Sequence, residues 1–178
     1  MNKAVFLDRD GTINVDKDYV YKIEDWEFID GAEEALKILQ DLGYKLIVIT
    51  NQSGIARGYY TEHDAKKLFQ YMQEELSKEG IQIEDVYYCP HLGDECECRK
   101  PKLGLFYQAQ KDYDIDFSKS YAIGDKLRDL AICEKENVKG YLLSDKGDIE
   151  NNNISRGSNL LEVAKEIAKK EKEIENER

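Results

Sequence analysis

Hydrophobic and polar positions alternate in blocks along this chain, and the blocks predict strands and helices in strict succession. Short apolar runs at Lys3–Leu7, Tyr44–Thr50, Ile83–Tyr88, Ser120–Ile123 and Gly140–Leu143 read as buried strands. Between them lie segments with apolar residues at helical spacing. Gly31–Leu42 carries Ala32, Ala35, Leu36 and Leu39 on one stripe and stops at Gly43. Glu62–Lys78 follows Thr61, a good N-cap, and Lys102–Tyr113 and Lys126–Asn137 complete the series. Strands alternating with helices predict an α/β fold, a doubly wound parallel sheet covered on both faces. Gly140–Leu143 is expected to close the sheet.

The tail differs in pattern. Asp145–Gly157 is polar and Asn-rich and reads as a loop. From about residue 158, Leu160, Leu161, Ala164, Ile167 and Ala168 recur at helical spacing, predicting a terminal helix that packs on the domain. Beyond Lys169 the chain is nearly all charge, and fraying is expected there. Neither repeats nor a second domain are evident, so residues 1–178 are expected to form one domain. The stretch from Asn14 to Asp30 is a long excursion after the first strand, of the kind that often covers an active site.

Composition narrows the class. The 178 residues are 41% hydrophobic and 35% charged with a net charge of −11, which suits a soluble protein and argues against nucleic acid as the main partner. No run has the apolar length of a membrane span and the start lacks a signal-peptide pattern, so a cytoplasmic chain with no membrane partner is expected. With no apolar surface stripe left over, a monomer is expected.

The chemistry gathers at the strand ends. Ala4–Leu7 runs into Asp8-Arg9-Asp10-Gly11-Thr12, where residues two apart on extended backbone can face one site. Two such close anions repel, and a divalent cation is the usual way to hold both. Thr50-Asn51-Gln52-Ser53-Gly54 offers a hydroxyl and turn amides suited to phosphate oxygens. Arg99-Lys100-Pro101-Lys102 is a cationic cluster in an acidic chain, and Gly124-Asp125-Lys126-Leu127-Arg128-Asp129 again leads a strand into carboxylates. Each alone could be a turn, a cap or surface charge; four in this order, each after a strand, point to one site.

A second group is Cys89-x-His91-x₄-Cys96-x-Cys98. Four soft ligands within ten residues suit a closed, tetrahedral and hence structural zinc site, with a cluster of reduced thiols as the alternative. Its task would be to shape the loop at 89–98 that leads into Arg99 and Lys100. Cys133 reads as a core residue, and His63, beside the N-cap, as surface.

Taken together, Asp8-x-Asp10-Gly11-Thr12, Thr50, Lys100 and Gly124-Asp125-x₃-Asp129 resemble the four motifs of the haloacid dehalogenase superfamily of phosphohydrolases. The resemblance implies a Rossmann-like domain in which Asp8 is the nucleophile that becomes an aspartyl phosphate. Asp10 would protonate the leaving alcohol and later activate water, while Thr50 and Lys100 hold the transferring oxygens. Mg²⁺ would be held by the Asp8 side chain, the Asp10 carbonyl and Asp125, and Asp129 would support Lys100 or a metal-bound water.

Longer stretches, Phe6–Asp16 and Thr50–Gly58 with Cys89-Pro90-His91, Cys98-Arg99-Lys100-Pro101 and Gly124-Asp125-Lys126, are similar to the D-glycero-D-manno-heptose 1,7-bisphosphate 7-phosphatases over residues 3 to 143. That family lacks a large cap domain, carries a small zinc loop, and acts on a phosphorylated sugar destined for nucleotide activation and surface glycans such as lipopolysaccharide. By position, Asp16, Lys17, Asp18 and Tyr19, with Asn51, Gln52, Ser53 and Lys126, would contact the substrate. Arg99 would grip the distal phosphate bidentately. The short His91–Cys96 spacing is closer to the zinc loop of histidinol-phosphate phosphatases, which keeps histidinol phosphate as the alternative substrate.

Overall fold

The computed structural model describes residues 1–177. The C-terminal residue of the expected domain, Arg178, lies outside the described residues. Six strands form one parallel sheet: β1 (Ala4–Leu7), β2 (Lys45–Asn51), β3 (Asp85–Cys89), β4 (Tyr121–Gly124), β5 (Lys139–Leu142) and β6 (Ile154–Arg156). Their spatial order is β3-β2-β1-β4-β5-β6. The chain winds outward from β1 to β3 and then crosses back to β4, so the order reverses beside β1, where open α/β sheets bind ligands. Register brings the strand ends level: Leu7 pairs with Val48 on one side and Ile123 on the other.

Strand β1 shows why the sheet is double-faced. Val5 and Leu7 belong to one core cluster, with α1 (Ala32–Asp41), the end of α2 (Glu62–Ser77) and α5 (Leu160–Asn176). Ala4 and Phe6 point the other way, into the cluster beneath α3 (Gly104–Tyr113) and α4 (Ile132–Lys135). All four are essentially inaccessible to water, as the continuous apolar run requires of a central parallel strand. Thr61 closes a capping box with Asp64 at the start of α2, as its position predicts. Cys133 is buried in the core and His63 is exposed, both as expected. No helix among the described residues is long and apolar enough to cross a membrane.

Three expectations need correction. The polar stretch Asp145–Gly157 contains β6, which pairs in parallel with β5. An edge strand needs only one buried side chain, here Ile154, so it leaves almost no hydrophobic pattern. The helix predicted at Lys126–Asn137 is two short pieces, a 3₁₀ turn at Leu127–Leu130 followed by α4. Asp129 accepts from the Lys126 amide at 3.1 Å and is drawn to Lys100, which tightens the first turn. Finally, α5 keeps helical form to Asn176, through the charged stretch beyond Lys169 for which fraying is expected. Glu171 accepts from the Tyr44 hydroxyl and pairs with Lys3, and Lys170 reaches the Tyr141 hydroxyl at 2.9 Å, so charged residues tie the last turns to the sheet.

Candidate active site

A cleft of about 300 Å³ opens at the C-terminal ends of β1, β2 and β4. Asp8, Asp10, Lys100, Asp125 and Asp129 line its base. Lys100 is 2% exposed, and its Nζ lies 2.7 Å from Asp129 Oδ1 and 3.1 Å from Asp8 Oδ1 and donates to the Ile49 carbonyl at 2.6 Å. Asp8 and the Ile49 carbonyl accept hydrogen bonds from it, and Asp129 faces it as an ion pair. Burial works against the ammonium, but Asp8 and Asp129 outweigh it and hold the Lys100 pKa above its ordinary value.

The carboxylates pay for crowding. Burial first, then Asp129, with Asp10 and Asp125 adding and Lys100 opposing, pushes the Asp8 carboxyl up to about 8. Burial and Asp129 likewise raise Asp125, with Lys126 opposing. Carboxylate oxygens of Asp8, Asp125 and Asp129 lie within 4.8 Å of one another. An all-oxygen set with more negative charge than Lys100 can balance fits a hard divalent cation. Close approach is possible because Gly11 stands at φ +84° and a Cβ there would collide with the Asp125 carboxylate. Only glycine meets both demands.

Asp10 is held by its neighbours. Its Oδ1 accepts from Arg9 Nη2 at 2.9 Å and from Asn14 Nδ2 at 3.0 Å. Arg9 is 1% exposed, donates also to the Val20 carbonyl, and has its guanidinium over the Trp26 and Phe69 rings. One buried cation therefore orients Asp10 and anchors the 14–30 excursion. From that excursion Asp16, Asp18 and Tyr19 reach the cleft. Asp18 and Tyr19 take left-handed φ of 59° and 56°, and the Asp18 amide donates to Asp16 Oδ1. Two successive non-glycine residues in that region are strained, a feature that clusters at binding sites.

Of the remaining expected contacts, Asn51, Gln52, Ser53, Arg99 and Lys126 line the cleft. Two do not. Lys17 points away, its ammonium 3.3 Å from Glu27 on the return arm of the excursion, where a carboxylate is nearer than the cleft. Thr50, 1% exposed, lies beneath the lining, its Oγ1 accepting from Gln52 at 2.9 Å. Sequence reasoning gave no role to Arg9, Asn14, Arg57, Tyr60 or Arg128. Arg9 and Asn14 lie inside the quoted motif. Arg57 and Arg128 also fall within the stretches given above, on a loop and on the 3₁₀ turn after β4, while Tyr60 lies beyond them, and that all three reach the cleft only the fold reveals.

The second cluster is compact. His91 Nδ1 lies 3.4 Å from Cys89 Sγ and 3.3 Å from Cys98 Sγ, and Cys89 Sγ lies 3.6 Å from Cys96 Sγ. Tetrahedral zinc, with bonds of about 2.3 Å to sulfur and about 2.0 Å to nitrogen, sets ligand separations of about 3.5–3.8 Å. All four cysteines are free of disulfides. Burial raises the Cys96 pKa, but the Cys98 and Arg99 amides and neighbouring thiols bring it down to about 6. Lys102 donates to the Asp94 carbonyl at 2.7 Å, Gly104 N to Glu97 at 2.9 Å, and Arg99 to His91 at 3.4 Å, so the loop and the Arg99–Lys100 segment hold one another.

The polynucleotide kinase 3 phosphatase family matches residues 3–155. The chain belongs to that family, among the haloacid dehalogenase-like phosphatases. It is a phosphatase, hydrolysing a phosphate ester. Among relatives of this phosphatase, the D-glycero-beta-D-manno-heptose-1,7-bisphosphate 7-phosphatase of Helicobacter pylori strain 26695 is 52% identical, covering 80% of this chain and 83% of that protein. The D-glycero-alpha-D-manno-heptose-1,7-bisphosphate 7-phosphatase of Campylobacter jejuni is 46% identical, covering 90% and 93%. A solved D,D-heptose 1,7-bisphosphate phosphatase from B. bronchiseptica, complexed with magnesium and phosphate, superposes with a TM-score of 0.85 at 29% identity, covering 94% of this chain and 99% of that one.

Proposed function

We propose that this phosphatase removes the C7 phosphate of D-glycero-D-manno-heptose 1,7-bisphosphate. The observation that carries the reading is the pairing of a haloacid dehalogenase-type base, Lys100 between Asp8 and Asp129, with relatives at 41–52% identity that bear this activity in their names. Those names weigh for the bisphosphate over histidinol phosphate. So does the cleft: Arg57, Arg99, Lys126 and Arg128 line it, and a substrate with two anionic ends can use such cations far from the reacting phosphate.

In this reading Asp8 attacks phosphorus and forms an aspartyl phosphate, splitting one difficult displacement into two. Asp10 gives a proton to the departing C7 oxygen, then takes one from the water that hydrolyses the intermediate. Lys100 keeps its charge throughout and stabilises the transferring oxygens, with Thr50 supporting from below. Asp8, the Asp10 carbonyl and Asp125 would hold Mg²⁺, which when bound offsets repulsion between anionic nucleophile and phosphate. Asp16, Asp18, Tyr19, Asn51, Ser53 and Lys126 would meet the sugar and its phosphates, and Arg99 the distal phosphate, with the buried Gln52 behind them. Cys89, His91, Cys96 and Cys98 would hold a structural zinc that shapes the loop behind Arg99.

The reading places a single-domain, monomeric enzyme in the cytoplasm, supplying heptose 1-phosphate for nucleotide activation and hence for lipopolysaccharide or related glycans. Its test is Mg²⁺-dependent phosphate release from both heptose 1,7-bisphosphate anomers and from histidinol phosphate, with Asp8→Asn as blank. One phosphate released per heptose bisphosphate, with little from histidinol phosphate, is expected. Preference for histidinol phosphate would overturn the substrate.

A further inference from the structure

The two oxygens of Asp10 are not equivalent. Oδ1 accepts from Arg9 Nη2 at 2.9 Å, Arg9 Nε at 3.3 Å and Asn14 Nδ2 at 3.0 Å. Three N–H donors occupy that oxygen and leave no place for a proton. Among the described residues Oδ2 accepts one hydrogen bond, from Gln52 Nε2 at 3.4 Å.

Gln52 is 3% exposed, and chemistry dictates which way its amide faces. Its other contacts are Thr50 Oγ1, 2.9 Å from Nε2, and the Tyr60 hydroxyl at Oε1. Its oxygen end accepts from the Tyr60 hydroxyl, so the end facing Asp10 is the NH₂. Tyr60 is itself fixed: 5% exposed, stacked on Tyr21 with ring centroids 5.1 Å apart, and seated on Gly54, where a Cβ would strike its ring.

We propose that Gln52, locked by Tyr60, is a positioning residue for the proton-carrying oxygen of Asp10, and that this oxygen is Oδ2. The inference rests on the reading of Asp10 as acid and base. As Asp8 bonds to phosphorus, the bond from phosphorus to the sugar oxygen breaks and its electron pair leaves with that oxygen, which takes the Oδ2 proton. Gln52 then donates an N–H to the newly ionised Oδ2. In the second step the same Oδ2 receives a proton from the attacking water. The long contact leaves Oδ2 open to substrate, while the Tyr60 lock prevents the amide from turning its carbonyl toward Asp10.

The test compares kcat/KM on a sugar phosphate, whose alkoxide needs a proton to leave, with p-nitrophenyl phosphate, whose phenolate does not. This ratio reports steps up to departure of the leaving group. Gln52→Met keeps the side-chain length without the amide. It is expected to lose about tenfold or more on the sugar phosphate, a part of what general acid catalysis supplies, but less than about threefold on the aryl phosphate. Tyr60→Phe, which removes one oxygen, is expected to show the same selectivity at smaller size with an unchanged melting temperature. Equal losses on both substrates for both variants overturn the inference. Asp10→Asn separates the two ideas: if it loses equally on both substrates, the reading of Asp10 as the acid fails and the inference falls with it. If Asp10→Asn is selective and the Gln52 and Tyr60 variants are not, only the inference falls.

Discussion

Asn51 grips the backbone of Lys100 at both ends of its amide: Oδ1 accepts from Lys100 N at 3.0 Å and Nδ2 donates to Lys100 O at 3.1 Å. The end of β2 thereby sets where the loop after β3 delivers its ammonium. Asn51→Ala is expected to lower kcat by at least about tenfold, because small displacements of a charge-stabilising group are costly. Asn51→Asp keeps an acceptor for Lys100 N and should retain more activity than Ala. Steady-state kinetics of the two variants decide it; equal activity of both and wild type would refute the clamp.

Gly11→Ala should be among the most damaging small substitutions. It places a side chain at φ +84° and against the Asp125 carboxylate. Calorimetric titration is expected to show Mg²⁺ affinity falling at least about tenfold, together with a loss of roughly 1 kcal/mol or more of stability for the strained residue. Unaltered Mg²⁺ binding would show that Asp125 does not need the space Gly11 leaves.

The crowded base makes metal-free stability depend on pH. Asp8 and Asp125 titrate higher in the folded chain than in the unfolded one, so folding favours their protonated forms. Their contribution is complete below about pH 3.8 and is lost as pH rises toward the folded value, about 8 for Asp8. In the presence of a chelator the melting temperature is therefore expected to gain less, or fall more, between pH 5 and pH 8 than that of an Asp8→Asn variant. Added Mg²⁺ should stabilise wild type more at pH 8 than at pH 5. A Mg²⁺ effect independent of pH would argue against binding at these carboxylates.

The cysteine cluster predicts one zinc per chain by elemental analysis. Cys96→Ser is expected to lower zinc content and melting temperature. It should also lower activity, since Lys102 ties the loop to the segment carrying Lys100 through the Asp94 and Cys96 carbonyls. Full zinc content and full activity in that variant would overturn the assignment.

Glu171→Ala tests the last turns of α5. Loss of the Tyr44 and Lys3 contacts is expected to cost about 1 kcal/mol and to speed amide exchange beyond residue 169. Exchange that is already fast in wild type would restore the view that this segment frays.

The sequence by itself determined the alternation of strand and helix, the fully buried central strands, the Thr61 cap, and the order in which Asp8, Asp10, Asn51 and Asp125 arrive after strands and Lys100 on the loop that follows the third. These follow from local rules, since a buried strand announces itself by continuous apolar residues and a cap by one side chain at one position. Tertiary structure alone decided the rest. Strand β6 forms because β5 offers an edge, and α5 persists because Tyr44, Tyr141 and Lys3 receive its charges. Lys17 turns to Glu27, Thr50 sinks beneath the cleft, and Arg9 and Tyr60 become inner supports of Asp10 and Gln52. Such partners are far apart in the chain or differ only in side-chain direction. Linear patterns encode which residues reach the sheet edge, whereas packing decides which of them face the substrate and which hold the others in place.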